Sequence, residues 1–188
     1  PGVGASTGGV SRGTMAKAYR AMLQFLEDQE KGLAAKEIVG WGYSISGAVQ
    51  AAGLLEHELK EDINYVFIKE KTFARLGDIV KDLMGNFLGF TVKVLGWNIP
   101  VIDSSIHLKA KEIIIQTAAV DRDRLIDSPE LIRDDGIIPA SSSLAKEILE
   151  RKQGANEKVV IGTPTRHNEP LVDVALLAGE VKRMLSHS

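Results

Sequence analysis

Hydrophobic and polar positions recur along this chain with two distinct periods. Four short runs, Lys36 to Gly42, Ile63 to Lys69, Glu112 to Ala118 and Lys158 to Gly162, are β-branched or apolar and predict strands. Between and around them lie longer stretches with helical spacing: Thr14 to Glu30, Ser46 to Leu59, Leu76 to Leu95, Ser141 to Gln153 and Val172 to Leu185. These stretches are too long for hairpin loops and long enough to cross over a sheet. The pattern therefore predicts an α/β fold, a mainly parallel sheet with helices on both faces. In the first helix Met15, Ala18, Met22, Phe25 and Leu26 share one stripe while Lys17, Arg20 and Glu27 fall elsewhere, as suits a helix lying on one sheet face. The stretch from Leu83 to Trp97 is richer in Gly, Phe and Trp and less regular. It reads either as a small cap or lid over 83–100 or as an ordinary crossover helix with a loop.

Composition removes several classes. With 188 residues, 44% hydrophobic and 26% charged, the chain is sized for one domain over 1–188 with a substantial core. A formal net charge of −2 and no basic block give no footprint for nucleic acid or an anionic membrane surface. No apolar run of about 18 residues predicts a membrane span. The absence of cysteine excludes a disulfide scaffold, a thiolate nucleophile and a cysteine zinc site. The start, Pro1-Gly2-Val3-Gly4, has no signal-peptide pattern, and a cytoplasmic location is the expectation. A glycine-rich turn normally follows a structured element, so this start reads as that of a chain truncated or cleaved from something longer. The same glycines miss the dinucleotide-binding spacing by one place, with no strand before them, and the chain holds neither a Gly-Lys-Ser/Thr phosphate loop nor a His-Glu-x-x-His site. No cofactor and no metal are expected.

The most informative stretch runs from Glu37 through Gly42-Tyr43-Ser44-Ile45-Ser46-Gly47 into Ala48-Val-Gln-Ala-Ala, an apolar strand entering an Ala-rich helix through a corner of small residues. Ser44 sits at the corner. A tight strand-to-helix turn lifts a serine oxygen above the sheet and aims the next backbone N–H at the same space, which requires small flanking residues, here Gly42 and Ser46. The stretch resembles the nucleophile elbow of the α/β-hydrolase superfamily, Gly-x-Ser-x-Gly and often Gly-Tyr-Ser-x-Gly-Gly, with Ser46 in place of one glycine and Gly47 following it. Three more stretches are similar to superfamily landmarks and fall in the same order. Pro1 to Gly8 resembles the turn after the fourth strand, Phe73 to Asp78 the segment after the sixth, and Asp103-Ser104 the motif ahead of the seventh.

The resemblance implies a serine hydrolase of esterase, lipase or peptidase type, cleaving a small-molecule ester or other acyl bond through an acyl-enzyme on Ser44. A base should then lie C-terminal to the serine. Of four histidines, His57 falls in the helix after the elbow and His187 in the terminal tail, both positions that usually mean exposure, while His107 lies in a connecting stretch. His167 alone follows the last strand and precedes the last helix, where the superfamily carries its base. The orienting carboxylate is expected after the strand Glu112 to Ala118, where Asp121, Asp123, Asp127, Asp134 and Asp135 all qualify by position. Asp135-Gly-Ile-Ile-Pro resembles the superfamily's acid loop, so Asp135 is chosen, with Asp121 and Asp123 as rivals and Val120 to Arg133 as an insertion. The residue after the nucleophile, Ile45, would supply one oxyanion N–H. In the superfamily the other comes from a loop after the third strand, so the first strands, and half of the oxyanion hole, are expected in a preceding segment of the same protein, which would also pair with the sheet edge left open. The alternative from another class is a non-catalytic α/β-hydrolase-like module that uses the cleft for binding.

Overall fold

The structure, a computed structural model, describes residues 7–9, 11–77, 99–151 and 157–186. Its elements run α1 (Arg12–Glu27), β1 (Glu37–Tyr43), α2 (Ile45–Leu54), β2 (Asn64–Glu70), α3 (Val101–His107), β3 (Lys111–Thr117), β4 (Arg124–Ile126), two 3-10 turns (Pro129–Leu131 and Ala140–Ser142), α4 (Leu144–Arg151), β5 (Lys158–Thr163) and α5 (Val174–Ser186). The sheet order is β1-β2-β3-β5-β4, parallel except for β4, which runs antiparallel to β5. A mainly parallel α/β architecture is thus what the chain adopts.

Local chemistry explains where the elements start and stop. At the start of α1 the Ser11 hydroxyl accepts the Thr14 N–H at 3.2 Å while the Thr14 hydroxyl accepts the Ser11 N–H at 3.0 Å. This reciprocal cap begins the helix earlier than the apolar stripe alone indicates. It ends before the expected Glu30 because Asp28 turns its carboxylate onto the N–H groups of Glu30 and Lys31, the local competition that makes aspartate a helix terminator. Strands β2 and β3 are covered on both faces and accordingly read as near-continuous apolar runs, with Val66, Phe67, Ile68, Ile113, Ile114 and Ile115 all 1% exposed or less.

Two cores result. On one face Ala48, Ala51 and Ala52 of α2, Val101 and Ile102 of α3, and Leu144, Ala145 and Ile148 of α4 pack with Ile114 and Val160; α1 adds Leu23 against Ile38, Tyr65 and Phe67. On the other, α5 lays Leu177 and Met184 on Val66, Ile68, Ile113, Ile115 and Ile161. Inside the first face lies a buried charge cluster: Lys69 Nζ contacts Glu112 Oε1 and donates to Ser105 Oγ at 2.9 Å, and Lys158 Nζ lies 3.2 Å from Glu112 Oε2. Strand β1, an edge of the described sheet, alternates because only one of its faces is covered: Ile38 is buried, whereas Val39 and Trp41 are about half exposed beside α5. A groove of about 470 Å³ separates these two residues from Val181 and Leu185.

Several expectations need correction. There are five strands, not four, among the described residues: the three residues of β4 lie inside the stretch expected to be an insertion, too short to show a period. The seven-residue α3 was expected as a connection, because buried Ser104 and Ser105 break the apolar signal of Val101 and Ile102. The second helix stops at Leu54, not Leu59. The expected helix Leu76 to Leu95 and the cap over 83–100 fall largely, and Pro1 to Gly4 wholly, outside the described residues. Among the described residues no helix is long and apolar enough to cross a membrane.

Candidate active site

Strand β1 becomes helix α2 through a single residue. Ser44 has φ 52° and ψ −121°, a conformation L-residues rarely adopt. It is held there from three sides: its N–H donates to Glu70 O at 2.9 Å, and its carbonyl accepts the Gly47 N–H at 3.1 Å and the Thr72 hydroxyl at 2.7 Å. Strand and helix then pass so closely that a Cβ on Gly42 would lie 2.6 Å from Gly47 Cα, and one on Gly47 would lie 2.9 Å from Thr72 Oγ1. The residues that must be small are therefore Gly42 and Gly47. Ser46 has a different task from the size role expected of it: its hydroxyl accepts the Tyr43 N–H at 2.7 Å and donates to Tyr43 O at 2.6 Å, bracing the turn from outside.

Three side chains from three loops meet at this corner. The His167 Nε2 is 3.0 Å from Ser44 Oγ and its Nδ1 is 2.7 Å from Asp135 Oδ2. A carboxylate only accepts, so Nδ1 carries the proton towards Asp135 and leaves the Nε2 lone pair facing the serine. Asp135 is itself fixed: Oδ1 accepts the N–H groups of Ile137 at 2.8 Å and Ile138 at 2.6 Å, with Gly136 turning at φ 97° to bring them round. The backbone repeats the link, since His167 N–H donates to Asp135 O at 2.8 Å. Both His167 and Asp135 are buried, at 4% and 1% exposure, and Ser44 is half-buried. Ile45 opens α2, so its N–H belongs to the first turn, where helical N–H groups lack intrahelical partners and the helix dipole favours negative charge.

The other candidates are placed elsewhere. Asp121 is exposed, and buried Asp123 turns Oδ2 to the Asp173 N–H at 2.7 Å. His107 is exposed, with Nδ1 2.8 Å from Asp103 O, and His187 lies outside the described residues. His57, expected at the surface, is instead tucked under α1: its side chain is 6% exposed, and Nε2 lies 2.8 Å from Glu27 Oε1, which also accepts the Tyr65 hydroxyl at 2.8 Å. Among the described residues no cluster of three or more His, Asp or Glu side chains has the arrangement of a metal site.

Two neighbours of the corner went unnoticed in the sequence reading. Tyr43 donates its hydroxyl to His167 O, and its ring lies 5.3 Å from the imidazole at 48°; burial, together with the Glu70 and Asp135 carboxylates, raises its pKa. Glu70 is buried with Oε2 3.0 Å from Trp41 Nε1, and burial raises its pKa against the opposing pull of Lys71 and the Trp41 hydrogen bond. In the sequence Tyr43 matches the tyrosine of the Gly-Tyr-Ser pattern, but nothing local announces its contact with the His167 loop.

A mainly parallel sheet, helices on both faces and a serine held in a strained strand-to-helix corner make this an esterase-like α/β-hydrolase fold. Solved structures with the same fold include acetyl xylan esterase 1 from Thermoanaerobacterium sp. (TM-score 0.57, 14% identity, 99% of this chain and 62% of that one), an esterase from Pyrococcus furiosus (0.54, 16%, 91% and 61%) and a lipase-esterase related protein from Clostridium acetobutylicum (0.52, 14%, 96% and 79%). The chain thus spans less than two thirds of the length of the first two. By sequence it belongs to the Chlamydia CHLPS protein family (DUF818), whose model matches residues 1–186. No curated protein matches it significantly.

Proposed function

We propose that this protein hydrolyses esters or other acyl bonds of small molecules through an acyl-enzyme on Ser44. The observation that supports this most is the hydrogen-bond series Ser44 Oγ to His167 Nε2 at 3.0 Å and His167 Nδ1 to Asp135 Oδ2 at 2.7 Å, ending on a serine in a strained conformation. In the proposed reaction Ser44 Oγ attacks the acyl carbon as its proton passes to His167 Nε2. The Ile45 N–H donates to the developing oxyanion. Collapse breaks the bond to the leaving group, which takes the proton from His167. Water then attacks the acyl-enzyme with His167 again as base, releasing the acid and restoring the Ser44 hydroxyl. Asp135 keeps the imidazole in the tautomer this needs. The esterases with the same fold support an acyl substrate of small-molecule size as the class to try first.

The test is intact-mass labelling of the whole protein with a fluorophosphonate, beside Ser44→Ala and His167→Ala, with circular dichroism to establish folding. One adduct in the wild type, absent from Ser44→Ala and strongly slowed in His167→Ala, is the expected result. No adduct on folded wild type would move the reading to a non-catalytic binding module.

A further inference from the structure

Lys71 follows the last residue of β2, is 0% exposed, and stands at φ 45°, a left-handed conformation that long side chains seldom take. Its N–H donates to Ile115 O at 2.7 Å. Its Nζ meets three acceptors, matching the three hydrogens of an ammonium: Thr165 Oγ1 at 3.1 Å, Arg166 O at 2.5 Å and Glu169 O at 2.6 Å. All three belong to the loop that carries His167. The same loop is held by the Thr117 hydroxyl, which donates to Thr165 O at 2.7 Å, and by the Tyr43 hydroxyl on His167 O. Carbonyls at four of five successive positions, 165, 166, 167 and 169, are therefore drawn towards side chains from the ends of β1, β2 and β3. The imidazole meanwhile meets Ser44 and Asp135. Burial lowers the pKa of Lys71, and the carboxylates of Glu70, Asp135, Glu169 and Asp123 act in the opposite sense, favouring the ammonium.

We infer that Lys71 is a positioning residue for the proposed acyl transfer, its ammonium fixing the 164–169 loop so that the His167 ring stands between Asp135 and Ser44. The inference rests on the acyl-hydrolase reading above. Lys71 touches neither Ser44 Oγ nor the imidazole, so its effect is on the geometry of the chemical step and not on substrate affinity. Misplacing a reacting group by about 1 Å lowers rates on the order of 100-fold.

Lys71→Met keeps most of the side-chain length and removes all three donors; Lys71→Gln, which keeps an amide donor, carries the comparison should the methionine variant not fold. The rate of fluorophosphonate labelling is measured as a function of probe concentration, separating the maximal rate from half-saturation, on whole protein at a temperature where circular dichroism shows full folding. Hydrogen exchange of the peptide spanning 164–169 is followed in parallel. The expected result is a maximal rate down about 100-fold in Lys71→Met and less in Lys71→Gln, half-saturation little changed, and faster exchange confined to the loop. A folded Lys71→Met labelled as fast as the wild type overturns the inference, even if the loop has loosened, because Lys71 would then be structural only. So does a loss of rate that merely tracks the unfolded fraction. A wild type that takes no label overturns the acyl-hydrolase reading and this inference with it, whereas a labelled wild type with an equally reactive Lys71→Met removes the inference alone.

Discussion

Replacing Asp135 by asparagine changes one atom, and the surroundings of that atom determine the outcome. In the wild type Oδ1 accepts two backbone N–H groups, from Ile137 at 2.8 Å and Ile138 at 2.6 Å, while Oδ2 accepts His167 Nδ1–H at 2.7 Å and, at 3.4 Å, Gln116 Nε2, whose amide can turn to present its unpartnered Oε1 to an asparagine NH₂. An asparagine can present its NH₂ to only one of these sides. Turning it towards the two N–H groups would set donors against donors and leave the buried Ile138 amide unsatisfied, at about 1–3 kcal/mol, with a smaller cost at the more exposed Ile137. The amide therefore keeps its oxygen on Ile137 and Ile138 and points its NH₂ at His167. Nδ1 must then accept, and the imidazole shifts to the tautomer with its proton on Nε2, 3.0 Å from Ser44 Oγ. A protonated Nε2 cannot take the serine proton. The same substitution in a serine protease lowers turnover about 10⁴-fold, and that factor, about 5 kcal/mol of barrier, is the expected loss here. The thermal midpoint should move little, because both backbone hydrogen bonds persist. Ester hydrolysis and the fluorophosphonate labelling rate, on variant and wild type of equal folded fraction, check this. Turnover within tenfold of wild type would refute both the tautomer argument and the role assigned to Asp135.

Two predictions concern stability. Burial pushes the Glu112 carboxyl up, but Lys69 and Lys158 outweigh it, so its folded pKa lies below the ordinary 4.5; the stability this provides is complete above about that value and is lost as pH falls through the depressed one. Glu112→Gln should accordingly lose about 3–5 kcal/mol at neutral pH by leaving Lys69 buried without a counter-charge, and should flatten the acid limb of a urea-denaturation series, with an unchanged acid limb as the contrary result. Ser44→Gly removes backbone strain worth about 1–3 kcal/mol and adds about 0.4–1 kcal/mol of unfolded-state entropy, so the variant should melt a few degrees higher than wild type by calorimetry; a lower midpoint would mean that Ser44 is not strained.

The parts of this molecule that the sequence made legible are those carried by local signals. Ser44 stands out because it sits at the corner between an apolar run and an Ala-rich helix, His167 because it alone of the four histidines falls between the last strand and the last helix, and Asp135 because a glycine, two isoleucines and a proline follow it in a distinctive loop. What sequence reading missed depends on contacts across the fold. The position of His57 suggested a solvated helix face; the helix ends three residues earlier, and the following turn brings the imidazole to Glu27 and Tyr65. Ser46 passed for a substitute glycine because a pentapeptide pattern shows size and not the two hydrogen bonds its hydroxyl makes to Tyr43. Lys71 carries no local signal in the sequence, and only the fold shows that it is fully enclosed.

One regularity connects the site to the sheet. Where β1, β2 and β3 end, the next residue continues the ladder by one bond to the neighbouring strand: Ser44 N–H to Glu70 O, Lys71 N–H to Ile115 O, Ala118 N–H to Thr163 O. A parallel sheet directs all of these ends to one edge, and the in-register pairs Tyr43 with Glu70 and Glu70 with Ile115 set the first two side by side. Of the three non-glycine residues with positive φ among those described, two are Ser44 and Lys71. Adjacent strand ends thus hold a strained residue each, fastened by the last ladder bond, and both meet the same histidine loop: Ser44 receives the imidazole, and Lys71 anchors the carbonyls on either side of it. Strain at an isolated loop tip would relax. Here it is tied to the most deeply buried of the described strands, so relaxing either residue means breaking the sheet edge as well, which is how a few kcal/mol of unfavourable backbone can persist at this corner.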